Sequence, residues 1–295
     1  MRVAIYGSRH QEDYVNEIVA LMVEAAGSGH TLVLHEKIAR YLSEQVPEQF
    51  AAVAAAVDVV GDDGFTADVA MSVGGDGTFL RTTQWVGSKE IPIIGVNTGH
   101  LGFLAPFTIS EVASELKAFA AGRSSIEERS LIQLDAPSAH IDVWPYALNE
   151  VAILKKDTAS MISVLASADR VTLADYLCDG LIIATPTGST GYNLSVGGPI
   201  VTPGSPSLVI APIAAHSLTM RPLVVCDSTV LEFKVTSRSA QFRISLDGRS
   251  FHMPCGTVFY LSRAPFVVKS VRKPGLSFFA TIREKLLWGT TPRQS

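Results

Sequence analysis

Val69-Ala70-Met71-Ser72-Val73-Gly74-Gly75-Asp76-Gly77-Thr78 runs an apolar strand straight into a glycine-rich turn, and residues 79–86 behind it carry a helical pattern. Strand, tight turn and helix in that order make the repeating unit of a parallel α/β sheet. The flanks repeat the unit. Upstream, residues 2–6 read as a strand, 12–26 as a helix with Val15, Ile18, Val19 and Met22 on one face, and 31–35 as a second strand. Residues 38–45 and 48–56 are helical by spacing, 91–96 is a further strand and 110–121 a further helix. This alternation predicts a doubly wound, Rossmann-like α/β domain over residues 1–106.

Beyond Pro106 the texture changes. Short apolar segments punctuated by Gly, Pro, Asp and Ser follow at 141–144, 147–154, 180–184, 208–211, 229–235, 242–246 and 258–261. With few helical patterns between them, residues 107–272 read as an all-β sandwich. Residues 277–288 are again amphipathic and basic, so the segment 273–295 is expected to pack back on the first domain. A chain of 295 residues, 47% of them hydrophobic, has room for two domains and a sizeable core. A net charge of −4 argues against a general nucleic-acid partner. No apolar run approaches the roughly 18 residues of a membrane span, and residues 1–7 read as a buried first strand, not a secretory signal. Cys178, Cys226 and Cys255 show neither metal-ligand spacing nor a disulfide framework, which suits buried thiols in a reducing cytoplasm.

The turn Gly74-Gly75-Asp76-Gly77-Thr78 carries the sharpest chemistry. Backbone N–H groups in such a turn approach phosphates closely, and the helix N-terminus behind it favours anions. The glycine spacing is neither that of a dinucleotide fingerprint nor that of a P-loop, which ends in Gly-Lys-Ser/Thr. An aspartate is the wrong charge for an anion cradle unless it takes a proton from a hydroxyl while a phosphoryl group sits alongside. A second block, Asp179-Gly180-Leu181-Ile182-Ile183-Ala184-Thr185-Pro186-Thr187-Gly188-Ser189-Thr190-Gly191-Tyr192-Asn193, runs a buried strand into a loop dense with hydroxyls, neutral donors that can wrap a sugar, a phosphate or a base edge. Asn149-Glu150 lies in an apolar strand, where neighbours face opposite ways and one of the two must find a buried partner. Asp247-Gly248 is at face value a hairpin turn.

These blocks, in this order, resemble the NAD kinase family over nearly the whole chain. Asn97-Thr98-Gly99-His100-Leu101-Gly102-Phe103-Leu104, Gly197-Gly198-Pro199, residues 212–218 with Arg221-Pro222, and the closing Ile282-Arg283-Glu284-Lys285-Leu286-Leu287-Trp288 belong to the same pattern. The Gly-Gly-Asp-Gly-Thr turn alone is shared with lipid and sugar kinases; the hydroxyl-rich block and the Asn-Glu pair select NAD kinase over those, and Asp76 counts against a non-catalytic dinucleotide sensor, which would keep the pocket and lose the base. Two departures are visible: Gly191 where alanine is common, and Ala214-Ala215 before His216 where a proline is common.

The resemblance implies an α/β domain and a β-sandwich with the active site between them, and phosphorylation of the 2′-hydroxyl of the adenosine ribose of NAD by ATP. It implies Asp76 as general base, and Gly74, Gly75, Gly77 and Thr78 as the turn receiving the donor phosphates. A divalent cation, magnesium, would be held mainly by those phosphates, with no protein metal site. Gly77 would also face NAD; Asn149 and Glu150 would hold the adenosine, with Asp179, Thr190 and Tyr192 completing its pocket. Phe103 would cover the adenine, and Asp247 would approach the nicotinamide half. A cytoplasmic homotetramer with no nucleic-acid or membrane partner is the expected form.

Overall fold

The computed structural model of the chain describes residues 1–7, 14–61, 64–99, 102–157 and 161–289. It forms two compact units, Met1–Glu128 together with Val268–Ser295, and Arg129–Val267.

In the first unit β1 (Arg2–Gly7), β2 (Thr31–His35), β3 (Val57–Val60), β4 (Val69–Val73) and β5 (Ile93–Asn97) make a parallel sheet in the order β3-β2-β1-β4-β5. β4 and β5 are buried along their whole length, as strands covered on both faces must be. Around them lie α1 (Val15–Gly27), α2 (Glu36–Gln45), α3 (Pro47–Ala51), α4 (Asp76–Val86) and α5 (Ile109–Ala120). Ile18, Met22, Ile38, Leu42 and Val112 carry their helices onto the strands' Val3, Ile5, Leu34 and Met71. The strand order reverses between β1 and β4, and in open α/β sheets ligands bind outside the carboxyl ends of the strands at such a point. The glycine turn sits there, directly after β4.

The expected helix 12–26 begins, among described residues, at Val15; Glu12 and Asp13 lie outside them. The expected helix 48–56 is broken. Pro47 opens α3, which ends at Ala51, and a separate 3₁₀ turn at Ala54–Ala56 follows, so that Val53 between them drops into the core. The short β6 (Phe107–Thr108) pairs with β5, and Thr108 caps α5 in a reciprocal box with Glu111. α5 packs against α1 and β5. The first unit thus runs on past Pro106, where the sequence texture changes, to Glu128.

β7 (Ser125–Asp135) carries the chain into the second unit. β8 (Tyr146–Ala147), β9 (Glu150–Leu154), β10 (Ile162–Ala168), β11 (Val171–Cys178), β12 (Gly180–Ala184), β13 (Ser207–Ile213), β14 (Leu223–Cys226), β15 (Leu231–Ser237), β16 (Gln241–Leu246), β17 (Arg249–Pro254) and β18 (Val258–Arg272) follow. Six of them form the antiparallel sheet β14-β13-β12-β9-β16-β17, while β11, β10, β15 and the start of β18 pair antiparallel in turn. Alternate residues of both sets meet in one apolar layer, where Phe233 and Phe242 each stack on Phe259 at 5.6 and 5.9 Å. The expected strand at 141–144 is absent. Pro145 brings no N–H to a ladder, and Trp144 packs instead on Tyr146 and Phe266. The strand expected at 258–261 runs on to Arg272, and its end, Ser270, pairs with Ile93 back in the first unit. There α7 (Phe278–Leu286) closes the described chain, with Ser277 capping it and Thr281 and Ile282 buried. Among the described residues no helix is long and apolar enough to cross a membrane.

Candidate active site

In the first unit the glycine turn is built as its sequence demands. Gly74 has φ 143°, a backbone that side chains rarely adopt, and its N–H donates to Val96 O of the neighbouring strand. Gly75 is the N-cap of α4 and Asp76 its first residue; Gly75 and Gly77 are exposed and Thr78 is buried. The Asp76 carboxylate is held from the far side. Phe103 N–H donates to Oδ2 and Leu104 N–H to Oδ1, each at 2.9 Å. Three residues make that approach possible. Asn97 donates its amide to Ala105 O and Phe107 O, folding the chain after β5 back on itself. Gly95 has no room for a side chain against the Leu104 backbone, and Gly102 has none against the Asp76 carboxylate. With Asp76 as the base that the resemblance implies, Gly102→Ala is expected to displace the carboxylate and lower kcat by about 100-fold, since small misplacements of a reacting group cost on that order; turnover within threefold of the parent would show that the close packing is dispensable. His100 and Leu101 of this block lie outside the described residues. The Phe103 ring lies 6.4 Å from Phe278 and under the Lys285 ammonium at 5.6 Å, both on α7.

The second unit carries the Asn-Glu pair, in a form that corrects the sequence expectation. Residues 147–154 are not one strand: β8 ends at Ala147, Leu148 and Asn149 bend, and β9 starts at Glu150. The cause is Asp247, whose carboxylate accepts N–H bonds from Leu148 at 2.7 Å, Asn149 at 2.8 Å and Glu150 at 3.1 Å. Asp247 (φ 46°) and Gly248 (φ 83°) form the two-residue turn joining β16 to β17, so the hairpin reading of that dipeptide holds while its side chain does something more. From the other side Thr185 grips the same bend through Oγ1 to Leu148 O and N–H to Asn149 O. So constrained, Asn149 Oδ1 and Glu150 Oε2 are buried with no hydrogen-bond partner. Burial, then the nearby Asp247 charge, push the Glu150 carboxyl up to about 7, against the pull of the Tyr192 N–H. Two orphaned buried acceptors side by side are costly unless a donor arrives.

The hydroxyls of the second block are mostly not free to wrap a ligand. Ser189 Oγ donates to Pro186 O and accepts from Val201 N–H, Thr187 accepts from Arg129, and fully buried Asn193 ties Ser189 O to Pro199 O. They shape the loop, leaving half-buried Thr190 and 41% exposed Tyr192 at its surface. Nor does one chain bring Asp179 to Asn149. Ala184 lies opposite Glu150 and Gly180 opposite Leu154, so Asp179 sits about 16 Å down the ladder at 3.3 Å per residue, where it pairs with Lys155 at 2.7 Å. Of the two departures, Gly191 stands close to Glu150 Oε2: a methyl there would lie 3.3 Å from it. Ala214 has φ 47°, which proline's ring cannot adopt. Sequence reasoning missed the bracing by Gly102, which meets the Asp76 carboxylate, and by Asp247, which meets backbone amides, because both contacts join residues distant in sequence.

Two family models match the chain, the ATP-NAD kinase N-terminal domain over residues 8–124 and the ATP-NAD kinase C-terminal domain over 148–271. The chain belongs to the NAD kinase family. It is 40% identical to the NAD kinase of Bacteroides fragilis over 293 residues, 99% of this chain and 100% of that one, and 41% identical to that of Porphyromonas gingivalis over 292 residues, 99% of each. Among solved structures it resembles yeast NADH kinase complexed with NADH at a TM-score of 0.86 and 22% identity, covering 100% of this chain and 90% of that one. It also resembles an Archaeoglobus fulgidus NAD kinase in complex with ATP at a TM-score of 0.68 and 26% identity, covering 93% and 94%. Those folds share the α/β unit and the β-rich sandwich described above.

Proposed function

We propose that the chain is an ATP-dependent NAD kinase in which Asp76 takes the proton of the adenosine ribose 2′-hydroxyl as that oxygen attacks the γ-phosphorus of ATP. The β–γ bridging bond breaks, ADP leaves, and the proton remains on Asp76 until solvent removes it. The observation that carries this reading is the Asp76 carboxylate, aimed by two backbone N–H groups at the N-terminus of α4 between two exposed glycines. Gly74, Gly75, Gly77 and Thr78 would receive the donor phosphates on backbone N–H groups. Asn149 Oδ1 and Glu150 Oε2 would accept from the adenine amine and a ribose hydroxyl, which supplies the donors that both lack. Phe103 would cover the adenine, and Thr190 and Tyr192 would border it. Asp247 would serve the adenosine by bracing Asn149 and Glu150.

Magnesium would be held mainly by phosphate oxygens and water. Bound there it would neutralise phosphate charge. A cytoplasmic homotetramer is the proposed form, and light scattering at micromolar concentration tests it. Incubation with NAD, ATP and magnesium should give NADP phosphorylated only on the 2′-oxygen. Phosphorus NMR of the product decides it, and a 3′-phosphate would sink the assignment.

A further inference from the structure

The β16–β17 hairpin grips the chain around the Asn-Glu bend at two points, with opposite charges. Asp247 in its turn accepts the N–H groups of Leu148, Asn149 and Glu150 and returns its own N–H to Glu150 O. Arg249, the first residue of β17, pairs with Leu246 to close that turn, and its Nη2 donates to Tyr146 O, just upstream of the bend. Its guanidinium carbon stands 5.2 Å from the centre of the Trp144 ring, and Trp144 and Tyr146 both pack on Phe266. So seated, the side chain is half-buried, and its Nε is buried with no hydrogen-bond partner. One carbonyl bond and one ring do not offset the cost of drawing a guanidinium out of water. What the placement adds is a fixed positive charge.

Three ionisable groups act on one another here: Asp247 in the turn, Glu150 on β9 and Arg249 on β17. Leu148 and Asn149 of the bend present only amides to the Asp247 carboxylate. Burial pushes that carboxyl up, and the Leu148 N–H, the Arg249 charge and the Asn149 and Glu150 N–H groups pull it back. The Asp247 charge in turn disfavours a charged Glu150. Among the described residues Asp247 and Arg249 make no direct ion pair, so each keeps its bonds to the backbone and the attraction acts across the gap. Both Asp247 oxygens are already engaged, Oδ2 by Leu148 and Oδ1 by Asn149 and Glu150. A proton on either would set an O–H against an N–H and loosen the bend. Two carboxyls and one cation therefore share the duty of holding residues 148–150.

We propose that Arg249 is a positioning residue for NAD, the fixed counter-charge that keeps Asp247 closed on the amides of residues 148–150 and so aims Asn149 and Glu150 at the adenosine. This rests on the NAD kinase reading, in which those two side chains hold the nucleotide. Two variants of the full chain test it. Arg249→Gln keeps an amide donor for Tyr146 O and drops the charge; Arg249→Lys keeps the charge and gives up the planar stack on Trp144. In calorimetric titrations with NAD, the glutamine variant binds about fivefold or more weakly at pH 8, as expected for a coupled charge network. The pH at which half the affinity is lost rises by about half a unit or more, and lysine restores the parent's midpoint. An equal loss at every pH, or a lysine variant that behaves like glutamine, overturns the proposal. Melting of the ligand-free chain reads the same clamp without NAD. Removing the cation raises the folded-state carboxyls, so the stability lost is fully present above their raised values and fades as pH falls below them. Arg249→Gln therefore melts further below the parent at pH 8 than at pH 4, and in an Asp247→Asn background that difference between the two pH values disappears. The same melting loss at both pH values overturns the counter-charge. NADP formation by the parent is read separately: its absence defeats the kinase reading, whereas NADP formation with a pH-independent melting loss defeats only the role of Arg249.

Discussion

Asp76→Asn is expected to lower kcat by about 10²–10⁴-fold, the range that a positioned general base supplies, while NAD still binds. Each carboxylate oxygen already accepts one backbone N–H, from Phe103 or Leu104, and keeps a lone pair for the hydroxyl proton. Asparagine has one acceptor oxygen, so its NH₂ group must face one of those N–H donors. The variant should therefore also melt earlier, losing about 1–3 kcal/mol for the orphaned donor. The two effects separate by measurement. Calorimetric NAD affinity and the melting curve report the brace, and single-turnover rates report the base. Turnover within threefold of the parent, at any cost in stability, would remove Asp76 from the chemistry.

Glu150→Gln should change stability and binding in opposite directions. Burial raises the Glu150 carboxyl from 4.5 to about 7 in the folded chain. Between those values the folded state holds a proton that the unfolded state has released, so stability falls as pH rises through this window and levels off above it. A shift of that size corresponds to about 3 kcal/mol. Glutamine carries no charge to desolvate. The variant should melt several degrees above the parent at pH 8 and close to it at pH 4, with a flatter dependence between. NAD affinity should fall by about tenfold or more, because a ribose hydroxyl loses a charged acceptor. For the same reason the parent should bind NAD more weakly at pH 6 than at pH 8. Identical melting of parent and variant at pH 8 would show that the buried carboxylate costs the fold nothing.

The sequence made legible whatever is written in local pattern. The strand-turn-helix at residues 69–86, the alternation before Pro106 and the hydroxyl-rich block each appear where their spacing puts them. Strands such as β10 and β11 escaped because Asp169-Arg170 between them reads as polar loop, whereas both adopt positive φ and turn a hairpin. Residues 141–144 looked like a strand, yet their aromatic side chain serves a cluster beside Arg249 and not a ladder. At the site the residue types were legible and their employment was not. Asp247, 97 to 99 residues away in sequence from the amides it binds, is invisible to any window. Thr185 and Ser189 read as ligand donors until their bonds to the backbone of Leu148 and Pro186 are traced.

The two-residue turn at Asp247-Gly248 has a consequence for tolerance to insertion. Its length fixes the β16–β17 pairing, and its carboxylate fixes where β9 begins, so one short loop sets two alignments at once. Side chains alternate along a strand, so slipping β9 against β16 by one position would turn Glu150 and Arg243 to opposite surfaces. An added residue in this loop would thus act as a frameshift in space, scrambling one surface of the sheet while leaving every codon outside the loop untouched.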